Sequence, residues 1–362
     1  MTDQNEAQKI IDAMQDVFNI ASSGFDKFYK EAKENSSGYS SKAASSGTSS
    51  KAASSGTYSK AASSGTYSKA ASSGNYSTAA SSGYSSTAAS SGNYSKAASS
   101  GDSSTAASSG TYSKAASSGD ASTAASSGYS STAASSGTYS NAASSGDSSK
   151  AASSGDSSKA AASGENVCAF ACGRNVCAKA SLGGGIALSE YDDKNKLVAV
   201  AASIIDGKKL LADEWYKLEG GKFVHVDWSD GIFSRVKSIK KIGNATVKTI
   251  IIDGQNKKSY IYISGGKSAH GETIEKAKAD LRYKIADRDT SRFKGWKLTD
   301  EKPLDEIIEA YRVITGACEE GTRTFVERQE KLPQKLTIAD VINRTKGAFG
   351  NEQFAAFFKE AS

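Results

Sequence analysis

The sequence predicts a two-sided β-solenoid with eighteen-residue coils, followed by a mixed α+β C-terminal region and preceded by an amphipathic helix. Three observations carry this. Sixteen glycines recur at nine-residue intervals from Gly38 to Gly173. The unit they bound reads Gly-x-x-Ser-Lys/Thr-Ala-Ala-Ser-Ser, which cannot bury a face alone and must stack on its neighbours. Beyond residue 182 this period stops, and most of the Trp, Ile, Leu and Val residues lie there. The expected divisions are residues 1–35, the helix; 36–182, the solenoid; 183–266, a small β-module; and 267–362, an α-rich module.

In the N-terminal part, residues 3–34 read as helix. Ala7, Ile11, Met14, Phe18, Ala21, Phe25 and Phe28 form a heptad seam, suited to a coiled coil that oligomerises the chain through residues 7–28. The alternative is a helix that folds back to cap the first coil, whose edge must be covered.

In the array, nine residues suit one strand and one turn, so a full coil takes two repeats. Eight coils at ~4.8 Å each give a stack roughly 38 Å long. The last two units show which positions face inward. Counted from the glycine, positions three, five and seven become Val167, Ala169 and Ala171, then Val176, Ala178 and Ala180. Positions four, six and eight become Cys168, Phe170 and Cys172, then Cys177, Lys179 and Ser181. Lys179 must reach solvent, so the even positions point out and the interior is a thin Ser-Ala-Ser layer. Each glycine is expected at a corner with positive φ. No proline interrupts the array, as a continuous ladder requires.

The eighteen-residue coil makes an edge ladder of Tyr58, Tyr76, Tyr94 and Tyr112, with Asp102 and Asp120 on the opposite edge. Thr87, Thr105 and Thr123 line up on one face, and Lys42, Lys60, Thr78, Lys96 and Lys114 on the other. A calcium-binding roll needs paired glycines and an aspartate in nearly every unit, whereas aspartate follows the glycine in four units here. A stacked threonine row resembles the surface of ice-binding solenoids, but lysines occupy much of that track. The pattern favours a structural shaft with a solvated surface.

From Gly183 onward, strands are expected at 185–191, 197–205, 222–227, 232–241, 245–252 and 258–264, with Trp215, Tyr216, Phe223 and Trp228 as a small core. Thr273 caps a helix to about Ile285, and further helices are expected at 305–315, 338–346 and 351–359.

Charge and cysteine content narrow the function. The chain carries a net +6, with −3 over residues 1–35, +5 over 36–182 and +4 beyond. No segment concentrates basic charge as a nucleic-acid groove does, and the positive sign excludes DNA mimicry. No secretory signal and no apolar run of ~18 residues is present, which predicts a cytoplasmic protein that does not span a membrane. Cys168, Cys172, Cys177 and Cys318 make no disulfide framework and read as reduced thiols. Cys168 and Cys172 sit ~13 Å apart along one strand without a neighbouring histidine, which argues against zinc. No metal or cofactor is expected.

Cys318, His270 and Asp287 or Asp289 hold the ingredients of a Cys-His-Asp set. The spacing matches no nucleophile signature. Cys318 also follows a helix whose apolar face holds Ile307, Ile308, Tyr311 and Ile314, with Gly316 as its C-cap, so the thiol reads as buried and structural. His270, beside Gly271, reads as part of a strand-to-helix turn. Asp287, Arg288 and Asp289 read as local ion pairs and caps.

The runs AHGETIEKA from Ala269, ADRDTS from Ala286, YRVITGAC from Tyr311 and GTRTFVE from Gly321 resemble the C-terminal region of uncharacterised phage and prophage proteins. Trp215-Tyr216 and Gly221-Lys222-Phe223-Val224 extend the likeness, which covers most of residues 36–362. The array also resembles the Gly-x-x-Ser-x-Ala signature of trimeric adhesin heads, which have a different period. The resemblance implies phage origin and brings no activity with it. Its runs hold the candidate binding residues His270, Arg288, Arg312 and Arg323. The sequence thus points to a non-enzymatic phage structural or interaction protein, its solenoid presenting the C-terminal module to a host or phage protein, including host defence machinery that it would antagonise. Two other readings compete: a trimeric particle shaft or adhesion component, and an enzyme using Cys318 with His270.

Overall fold

The computed structural model describes residues 34–359 apart from 230, 231, 256, 287, 330 and 331. The expected N-terminal helix, with its seam over residues 7–28, therefore lies outside the described residues up to residue 33, as does Asp287. Two compact units meet in the chain between His225 and Val226.

The first unit contains the solenoid. Strand β1 is Glu34–Ser37. From β2 (Lys42–Ser46) a five-residue strand begins every nine residues through β16 (Cys168–Cys172), and β17 is Cys177–Ala180. Each strand pairs in parallel with the strand two repeats on, so Lys60 lies beside Thr78 and Thr87 beside Thr105. Odd strands make one sheet and even strands the other. That is the two-sided, eighteen-residue coil read from the sequence.

Why glycine recurs is visible at the corners. Gly110 has φ +114°, and a Cβ added there would lie 2.6 Å from the carbonyl oxygen of Gly92, one coil below. Two residues after twelve of the sixteen glycines the chain is left-handed again, now with non-glycine residues: Tyr58, Tyr76, Tyr94 and Tyr112 have φ between 58° and 61°.

The interior holds the expected residues. Ala106, Ala124, Ala133 and Ala160 have no exposure. The serine at position three reaches across the coil: Ser50 Oγ lies 2.8 Å from Ser63 Oγ and donates to the Ser64 carbonyl at 2.8 Å. These bonds tie the two sheets together where a polar interior would otherwise be costly. Position six departs from the simple inside/outside alternation. Ala62, Ala98 and Ala116 on the even sheet are exposed, whereas Ala53, Ala71, Ala107 and Ala125 on the odd sheet are buried.

Non-repeating strands complete this unit. Strand β18 (Gly185–Tyr191) continues the even sheet in parallel on β16, with Ala169 beside Ile186. Strand β19 (Leu197–Ile204) turns back antiparallel and ends that sheet. Strand β20 (Trp215–Glu219) lies antiparallel on β17. Val167, Val176, Ile186, Leu188 and Ile205 widen the alanine core here. Lys179 does face outward, and its ammonium sits 4.9 Å from the centre of the Trp215 ring.

The second unit begins within β21 (Lys222–Asp227). It continues as an antiparallel meander of β22 (Ser234–Ile242), β23 (Ala245–Ile252), β24 (Lys258–Ser264) and β25 (Lys267–Gly271). Helix α1 (Ile274–Ile285) follows, N-capped by Thr273 as expected. Helices α2 (Leu304–Thr315), α3 (Glu319–Glu327), α4 (Ile338–Arg344) and α5 (Asn351–Lys359) complete the unit, with a short ladder of β26 (Glu301–Pro303) and β27 (Lys335–Thr337). Phe293, Ile307, Ile314, Ile338 and Phe354 form its helical core.

One expectation is corrected. Trp215, Tyr216, Phe223 and Trp228 do not form one core. Tyr216 and Phe223 pack on the end of the solenoid, while the Trp228 ring lies tilted against Phe233, centroids 4.8 Å apart, in the second unit, because the division between the units falls inside this segment. Helix α3 and strands β20, β25, β26 and β27 were not expected. In α3 the weak helix formers Gly321, Thr322 and Thr324 dilute the local signal.

Candidate functional site

The tyrosine ladder is present as expected. Successive rings from Tyr58 to Tyr112 stack with centroids 5.0, 5.0 and 5.1 Å apart. Tyr39 and Tyr129 close its two ends edge-on. A bulky left-handed residue is unfavourable, and stacking at coil spacing offsets that strain. The residue just after the glycine has a role that sequence reasoning missed. Asn75 Oδ1 accepts the amide of Asn93, and Asp120 Oδ1 that of Thr138, one coil on. These side chains extend the backbone ladder around the corner.

Cys318 is 1 % exposed and is the N-cap of α3, its sulfur accepting the Gly321 amide at 3.3 Å. Gly316 ends α2 in the left-handed conformation at φ 73°, as expected. The thiol borders a cavity of about 330 Å³ shared with Ile307, Tyr311, Leu336 and Val341. His270, also buried, lies on β25 opposite Ile261. Cross-strand partners share a face, so His270 points with Ile261 toward the cluster of Ile232, Val236, Ile250 and Ile252. Its neighbour Ala269 points the other way and packs with Tyr262, Leu281 and Cys318. Strand alternation thus sends His270 and Cys318 to opposite faces of the meander.

Arg288 and Arg312 join helix ends. The Arg288 guanidinium donates to the carbonyls of Tyr283 and Lys284 at the end of α1, and of Val313 near the end of α2, at 2.7, 2.9 and 2.7 Å. Arg312 donates to the Ala317 carbonyl and pairs with Asp280. Both guanidiniums lie within 5.5 Å of the Tyr283 ring centre. Orphan carbonyls at helix C-termini are satisfied this way. Hydrogen bonds from the Ser291 hydroxyl and then its amide hold the Asp289 carboxyl below its usual range, a local cap.

Arg323 is more open. It bridges Glu272 at 2.8 Å and Glu320 at 2.6 Å. Hydrogen bonds from Lys257 and then Arg323 hold the Glu272 carboxyl down at about 2. Sequence reading also missed Asp227, which sits buried against Lys248 at 2.7 Å with the Ser229 amide and hydroxyl on its other oxygen. Burial alone would raise its pKa, but the Lys248 ammonium and the Ser229 bonds outweigh burial and bring it to about 2. An alternating strand with one lysine gives no sign that its ammonium faces inward.

Among the described residues no cluster of three or more His, Cys, Asp or Glu side chains could hold a metal ion, and no helix is long and apolar enough to cross a membrane. Comparison with protein-family models, with curated proteins and with solved structures gives no match.

Proposed function

We propose that this is a non-enzymatic, phage-encoded interaction protein. Its solenoid is a rigid scaffold, and its C-terminal unit engages a host or phage protein, including a host defence component that it would antagonise. The observation that carries the reading is the use of the chemistry-bearing side chains. Arg288 and Arg312 hold helix ends, and Cys318 and His270 face opposite sides of a sheet. The array meanwhile closes on itself through unbroken parallel ladders and interior serine bonds. Such a site binds through its surface, where the half-buried Arg323 guanidinium, bridging Glu272 and Glu320, offers a charged contact.

The experiment uses the full chain as bait in extracts of infected and uninfected host cells. One stoichiometric partner should be retained by Cys318→Ala and weakened by Arg323→Glu. Loss of an activity on Cys318→Ala in a stably folded protein would put the enzyme reading first.

A further inference from the structure

The end of the even sheet breaks the surface chemistry of the array. Along the repeats the outward positions of each even strand carry Lys or Thr, Ala and Ser. On β16 the same positions carry Cys168, Phe170 and Cys172. Phe170 stays 44 % exposed and lies beside Ala187 of β18, which lies beside Ala202 of β19. On β19 itself Val198, Val200 and Ile204 are 53 %, 67 % and 64 % exposed. Three neighbouring strands therefore share an apolar outer surface next to the last lysine of that row, Lys150.

Strand β19 is also the edge. Its eight residues, LVAVAASI, contain no charge and no proline, and among the described residues no strand pairs with its outer side. Soluble proteins protect such edges with charge, proline, bulges or a cover, because an open apolar edge templates another strand. Here the charges stand only in the flanking turns, with Lys194 and Lys196 before the strand and Asp206 and Lys208 after it.

We infer that β19 pairs antiparallel with β19 of a second copy about a twofold axis. The strand is self-complementary in one register. With Ala201 opposite itself, Val198 faces the second copy's Ile204 and Val200 its Ala202, so the exposed aliphatic side chains share one surface. In the same register Lys196 faces the second copy's Asp206 at both ends of the paired strands. An isologous contact of this kind closes as a dimer. A single pair of eight-residue strands is small beside a standard stable interface, so a weak, concentration-dependent dimer is expected. This does not depend on the partner reading above.

Sedimentation of the full chain from nanomolar to high micromolar concentration tests the inference. A reversible monomer–dimer equilibrium is expected. Val198→Lys with Val200→Lys places charges on the paired edge and should weaken it about tenfold or more. In a Cys168→Ser, Cys172→Ser background, Ala201→Cys should form a disulfide-linked dimer on mild oxidation, since residue 201 faces its own copy. A chain that stays monomeric at every concentration overturns the inference. So does a dimer that survives the lysine pair, or a trimer, because either places self-association elsewhere.

Discussion

Above the first coil each corner of the array comes within contact distance of the coil below, and two constraints select glycine there. One is the backbone: φ lies between +106° and +143° at the sixteen repeat glycines. The other is space, and it is absent in the first coil, where a Cβ on Gly47 would meet nothing within 4 Å. Comparing two substitutions separates them. Gly47→Ala carries only the backbone strain, about 1–3 kcal/mol. Gly110→Ala adds a collision with the Gly92 carbonyl and should cost at least ~2 kcal/mol more. Equal losses in denaturant midpoint would show that close stacking does not select the residue.

Asp227 gives the second test at this scale. Its pKa is lowered from 3.8 to about 2 in the folded protein, so the unfolded chain takes up its proton first on acidification. The stabilisation is present above about pH 4 and is lost as pH falls toward 2. Asp227→Asn removes the carboxylate from buried Lys248, which should cost about 3–5 kcal/mol at neutral pH. It should also flatten the acid limb of stability against pH. A variant as stable as the parent, with an unchanged acid limb, would contradict this account. The glycine positions were legible because their repetition is a sequence property. The Asp227–Lys248 pair was not, since it joins residues 21 positions apart with no local pattern linking them.

At the scale of the strand, alternation sets the consequences of a side chain. Ala106 is fully buried against the opposite sheet, while Thr105, one residue earlier, is partly exposed. Ala106→Leu should overpack the thin interior and lower stability by about 1–3 kcal/mol or more, whereas Thr105→Leu should stay within about 0.5 kcal/mol. Similar losses at both positions would mean that the strand faces are assigned wrongly. Strands β18, β23 and β24 begin and end at the residues expected from their period-two pattern and flanking turns. Strand β25 and helix α3 escaped because each is short and built from residues of weak local preference, so packing on neighbouring elements establishes them.

Across the whole molecule, the four thiols should sort into two classes. Cys172 is exposed and Cys168 partly so, on the outer face of the array, while Cys177 and Cys318 are buried. Titration of the native protein with a thiol reagent should give two fast and two slow reactions, with all four equal after unfolding. Fast labelling of Cys318 would show that α3 opens readily and would revive its candidacy as a nucleophile.

The sequence by itself determined the solenoid, its eighteen-residue coil, its inward Ser-Ala-Ser positions and the tyrosine ladder. In a repeat each contact joins equivalent positions a fixed distance apart, so local periodicity already contains the tertiary pairing. Only the tertiary structure decided that Cys318 and His270 face opposite sides of the meander, that Arg288 and Arg312 hold helix ends, and that β19 is left as an apolar edge. Those outcomes depend on which strand lies beside which and on where a sheet stops. Outside the array no period records such pairings, because each contact there joins non-equivalent residues at its own separation along the chain.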